Sequence, residues 1–169
     1  LYVIGSFDQL LTTPMDDLGD ALREIRHAEA EDWLPSQVDS VLVDGEWVTD
    51  IDPACGCTDV WWSERESGTR LSTVLALDLY DPTSDFSGQA VAGAAEVVYV
   101  SRDNVYVAYT ESEDGPFKSW DLGLDTIVHQ LDIEHGAPAY VDTAQITGVL
   151  TDQFAFSQKD GVRRVATPA

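Results

Sequence analysis

Cys55-Gly56-Cys57, three histidines and a surplus of carboxylates are the groups of this chain able to do chemistry. A redox pair needs a lowered thiol pKa, and no basic residue or histidine lies near Cys55 and Cys57 in sequence. A metal site needs further ligands, which a C-x-C without a second cysteine pair does not supply. The structural reading remains: a disulfide, within this loop or to a cysteine elsewhere, or two inert thiols. His129 falls in an alternating stretch, His135 in the turn after it and His27 in a helical stretch. On one strand His129 and Asp132 point to opposite faces, so with Glu134 and His135 they do not converge on a metal. No G-x-S-x-G elbow surrounds Ser101 or Ser157, and no Gly-rich phosphate loop, H-E-x-x-H or EF-hand loop occurs. Glu111-Ser112-Glu113-Asp114-Gly115 has the oxygens for Ca²⁺ but lacks the required alternation of ligands. Calcium is thus the one cofactor left open, and no catalytic residue is assigned. Trp61-Trp62 is the candidate binding pair, for a glycan or a peptide, or else an anchor for an insertion.

Charge narrows the partners. Thirty-one Asp plus Glu against nine Lys plus Arg give −22 in 169 residues. Phosphate repulsion and the lack of a basic stripe exclude a nucleic-acid partner. The acids are scattered, as solubility in concentrated salt would require, although a basic partner or bound cations also fit. The 44% apolar content describes a globular chain. No run of about 18 apolar residues is present, so only an anchor outside this stretch would tie it to a membrane.

The elements that must position these residues repeat. Glu96–Thr110, EVVYVSRDNVYVAYT, alternates apolar and polar residues around a short polar turn, the pattern of a β-hairpin. Gln153–Thr167, QFAFSQKDGVRRVAT, has the same order of parts. Upstream, TVLALDL (73–79) matches TIVHQLDI (126–133), and GQAVAG (88–93) matches AQITG (144–148). Gly93 pairs with Gly148 and Ser101 with Ser157 in this series, with a slow drift that single-residue loop insertions would produce. Four short strands in about 50 residues is the spacing of a propeller blade.

The remaining segments fall around these units. Leu1–Phe7 resembles the closing strand of each later unit, so residues 1–10 are expected to close a preceding blade. Thr13-Pro14 reads as a helix start, Leu18, Leu22 and Ile25 share one face, and Pro35 ends the helix near Leu34. Val41–Val48 follows as a small hairpin with a type I′ turn at Asp44-Gly45. Residues 11–70 are therefore an insertion, 71–120 one blade and 121–169 a second. The fold class expected is all-β, mainly antiparallel: a partial propeller of about two four-stranded blades with an inserted amphipathic helix and small hairpin. Tracts in mid-strand at both ends suggest a fragment of something longer, with open strand edges that favour oligomers or strand swapping.

TVLALDLYDP, EVVYVSRDNVYVAYT, DTIVHQLDIEHGAPAYV and GVLTDQFAFSQKDGVRRVATPA resemble the secreted bacterial and archaeal proteins with a C-terminal β-propeller domain, distantly similar to WD-repeat propellers. The resemblance covers about residues 71–167 well and the insertion loosely. It implies an exported or lipid-anchored protein, extracellular or at the cell surface, with further blades. It supplies no catalytic motif to map. The function expected is a binding scaffold for a protein, glycan or cation, through loops at one propeller face. The alternative is a fragment of a propeller hydrolase or lyase with its site at the central channel. There the strands TVLALDL and TIVHQLDI would be the inner ones, and Asp78 and Asp132 their shared acid, although an acid so placed is more often a turn or strand-end hydrogen bonder than a catalyst.

Overall fold

The computed structural model describes residues 1–8, 18–29, 31–64, 70–81, 84, 86–111 and 124–168. Alternating sequences produce strands throughout. In chain order these are β1 Tyr2–Asp8, β2 Ser36–Val43, β3 Glu46–Pro53, β4 Val60–Trp61, β5 Arg70–Ala76, β6 Ser87–Ala92, β7 Val97–Val100, β8 Asn104–Glu111, β9 Asp125–Asp132, β10 Ala139–Thr147, β11 Phe156–Lys159 and β12 Val162–Val165. One helix, α1 Leu18–His27, precedes β2.

Two four-stranded sheets form, ordered β1-β5-β6-β4 and β7-β8-β9-β10. The pairs β2–β3 and β11–β12 stand as separate two-stranded sheets. Each sheet straddles the sequence repeat. β5 pairs with β1 on one side and β6 on the other, not with β7 or β8; β8 instead pairs with β9, which in turn carries β10. The sheets cross the expected boundary between residues 71–120 and 121–169: each repeat ends by starting the next sheet. Repeats so interlocked cannot separate without breaking backbone pairing. The first sheet takes its fourth strand from the insertion, because β4 adds in parallel to β6.

The sheets stack face to face. Val74 and Val91 of the first sheet pack on Val105, Val107 and Leu131 of the second, all fully buried. The Tyr2 hydroxyl crosses this junction to the carbonyls of Ile133 (2.9 Å) and Gly136 (2.8 Å). On its far face the second sheet packs Tyr106, Ala108 and Val128 against Phe156, with Val165 alongside. The Tyr99 and Phe156 rings stack there, 5.6 Å between centroids.

Local chemistry sets the turns. Asp44-Gly45 and Asp160-Gly161 have φ of 50° and 89°, and 52° and 74°, so both close hairpins as type I′ turns. The β2–β3 hairpin is longer than Val41–Val48. The helix, in contrast, stops at His27, not near Leu34. Leu34 is drawn into a cluster with Cys55 and Ala90, and a 3-10 turn, Glu31–Trp33, takes the chain there. The expected start at Thr13-Pro14 lies outside the described residues. Ser101 and Ser157 are not equivalent either. Ser101 sits in the turn and its Oγ accepts from the Asn104 amide, whereas Ser157 lies within β11, opposite Arg164.

Candidate binding surface

The shared acid of the repeat is a turn residue. Asp78 Oδ1 accepts from the Tyr80 amide and Asp132 Oδ1 from the Glu134 amide, each at 2.9 Å. The strands before them, β5 and β9, are hydrogen-bonded on both sides within their sheets. An innermost propeller strand is a sheet edge, so neither can line a channel as expected. His135 Nδ1 lies 4.0 Å from Asp132 Oδ1 at the surface.

His129 is fully buried between the two large sheets. Its Nδ1 meets Thr143 Oγ1 at 2.6 Å, and Thr143 in turn meets the Tyr140 hydroxyl at 2.5 Å. The Tyr109 and Tyr140 rings flank the imidazole. Burial pushes its pKa below the ordinary value, opposed by the Ala92 backbone, although Nε2 makes no well-formed hydrogen bond. It is a neutral packing residue. Among the described residues no group of three or more His, Cys, Asp or Glu is arranged to hold a metal. The acidic run from Ser112 to Gly115 lies outside the described residues.

The tryptophan pair divides. Trp61 stacks on Tyr140 of the second sheet, 4.3 Å between centroids and 5° from parallel, while its Nε1 donates to Gln89 Oε1 at 2.7 Å. Gln89 in turn donates to Asp59 Oδ1. Trp61 is thus the anchor of the insertion, and adjacent Trp62 points outward, exposed. Cys55 and Cys57 are free thiols with no bond between them. Burial, with Asp59 adding, pushes the Cys55 thiol up to about 11. Cys57 is exposed near Glu31, with Sγ 3.8 Å from Oε1. A thiol that resists ionisation cannot serve as a nucleophile at neutral pH.

The surface that sequence reasoning undervalued is the β2–β3 hairpin. Leu42 lies opposite Trp47 and Val38 opposite Ile51, so these four share one face. They are 56%, 70%, 61% and 65% exposed. Between the two pairs, the Ser40 and Thr49 hydroxyls meet at 3.0 Å. The opposite face sets Asp39 against Asp50 and Gln37 against Asp52 nearer the neck, and the exposed Val41 against Val48 nearer the tip. The hairpin leaves the body at a single neck, where the Ala54 amide donates to the Pro35 carbonyl at 2.7 Å. Period-two alternation in VDSVLV and EWVTDI carried this signal, had the hairpin been drawn to its full length.

Successive, mainly antiparallel four-stranded sheets stacked face to face, with strands shared across the repeat boundary, are the arrangement of propeller blades. The chain belongs to the beta propeller domain family, whose model matches residues 4–168. No curated protein and no solved structure matches it.

Proposed function

We propose that this propeller is an exported or surface-anchored binding scaffold that engages a protein partner through the apolar face of the β2–β3 hairpin. The observation carrying this reading is the exposure of Val38, Leu42, Trp47 and Ile51 together on one face. Contiguous apolar patches on a protein surface mark interaction sites, and an isolated two-stranded hairpin is marginal in water. A partner covering that face would order the arm and bury its aliphatic stripe. Acids on the other face, Asp39, Asp50 and Asp52, favour a partner with a basic rim over an anionic membrane. The turn hydrogen bonds accepted by Asp78 and Asp132 support a structural use of the shared acid.

The test is site-specific photo-crosslinking in intact cells, with the reactive side chain at Leu42 or at Asp39. The proposal expects one discrete protein adduct from Leu42 and none from Asp39. Equal labelling from both positions, or adducts to glycan alone, would overturn it. Proteolytic shaving of the same cells should remove the protein if it faces outward; full protection would contradict export.

A further inference from the structure

The two faces of the β2–β3 arm differ near its neck and agree near its tip. By the neck one face carries Val38 opposite Ile51, and the other Asp39 opposite Asp50. Closer to the tip Leu42 and Trp47 stand on one face, Val41 and Val48 on the other. Val41 at 60% and Val48 at 56% are no better covered than Leu42 at 56%. The strand from Ser36 to Val41 places this apolar zone about 20 Å beyond the neck, at the usual rise per residue. A partner that covered one face alone would leave the Val41–Val48 pair in water.

Carboxylates bound the apolar zone at both ends. Asp44 and Glu46 flank Gly45 at the apex, Asp39, Asp50 and Asp52 lie toward the neck, and residues 36–53 contain no Lys, Arg or His. Asp39 directly opposite Asp50 is a like-charge pair that weakens the ladder. This pattern selects the occupant. A bilayer would have to admit Asp44 and Glu46 ahead of the apolar residues, and ionisable groups inside a membrane are costly. A second copy of the chain, with nine Lys plus Arg against 31 Asp plus Glu, is repelled. A cationic protein supplies the missing charge.

We infer that the tip of the arm is gripped on both faces in an apolar slot of a cationic protein partner. The inference rests on the protein-partner reading above and adds the second face and the charge of the slot. Leu42 and Trp47 meet one wall, Val41 and Val48 the other. Basic side chains at the floor of the slot face Asp44 and Glu46. Others at its lip face Asp39 and Asp50 across solvent, within the reach of a screened charge. The apolar walls supply affinity, and the two basic zones supply orientation and a salt-sensitive encounter.

Photo-crosslinking in intact cells tests this, with the reactive side chain at Leu42, Val41 or Val48 in turn. All three positions should give adducts to one protein, and peptide mapping should place the Leu42 and Val41 adducts on different segments of it. Neutralising the ends by Asp39→Asn, Asp44→Asn, Glu46→Gln and Asp50→Asn together should cut the Leu42 adduct at least about fivefold, with circular dichroism unchanged. Asparagine tolerates the positive φ at position 44, so the turn survives that change. An adduct from Leu42 with none from Val41 or Val48 overturns the slot and leaves one-face docking standing. Absence of adducts from all three positions overturns both. Adducts to lipid or to a second copy of the chain, or an undiminished yield from the neutral variant, overturn the cationic slot.

Discussion

Tyr109 lies against the face of Gly93 so closely that a Cβ on the glycine would overlap the aromatic ring. Gly93 also sits at φ +128° and donates its amide to the Arg70 carbonyl, while its own carbonyl accepts from Ser72 Oγ. One repeat later Gly148, at φ +103°, donates to Leu124 and accepts from Thr126 Oγ1, and Thr167 takes the place of the tyrosine. This clasp of glycine, hydroxyl and covering side chain joins the end of one sheet to the start of the next.

Replacing Gly93 by alanine should therefore be severe. An L-residue at that φ is strained and the ring must be displaced, together about 2–4 kcal/mol. Gly161→Ala, at φ +74° with open space around it, should cost only about 1 kcal/mol. Urea unfolding of the two variants side by side measures the difference.

Acid should loosen the junction between the two large sheets. His129 has a folded pKa below 6.5, so the unfolded chain binds more protons in the window beneath that value. Stability attributable to this residue is intact above pH 6.5. It is lost as pH falls, by up to about 1.4 kcal/mol per unit until the folded imidazole itself titrates. The urea midpoint of the protein should drop more steeply from pH 7 to pH 5 than that of His129→Gln.

The strands, hairpin turns and repeat were legible in the sequence because period-two alternation and Asp-Gly turns are local signals. Partition into sheets was not. β1, β8 and β12 look alike, so the phase at which a repeat begins is arbitrary until β8 is seen to pair with β9. Leu34 ended no helix by propensity; burial beside Cys55 and Ala90 decided it. Trp61 read as a ligand platform or an anchor, and its stack on Tyr140, remote in sequence, lay beyond any local signal. The cleft between the second sheet and the β11–β12 hairpin was invisible because it is defined by side chains from six strands.

The two thiols should differ sharply. At pH 8 a maleimide or iodoacetamide should modify one thiol per chain, Cys57, while Cys55 stays protected by burial and its raised pKa. Trp61→Ala releases the stack on Tyr140 and should cost about 1–3 kcal/mol. In that variant Cys55 should become reactive at a rate approaching that of Cys57, as peptide mass mapping would record.

Changes on the hairpin should spare the fold. Leu42→Ser and Trp47→Ser remove exposed side chains, so stability should stay within about 0.5 kcal/mol of the parent. Trp47→Ser should abolish the protein photo-adduct formed from Leu42. A loss of several kcal/mol in either variant would show that this face is packed against the body.

Residue-resolved amide hydrogen exchange tests the interlocked sheets most directly. With β8 paired to β7 on one side and β9 on the other, every amide from Val105 to Tyr109 should be protected to the same order as the core of β9. If alternate amides along β8 exchange within seconds, that strand is an edge, the sheets follow the sequence repeats, and the interlocked arrangement is wrong.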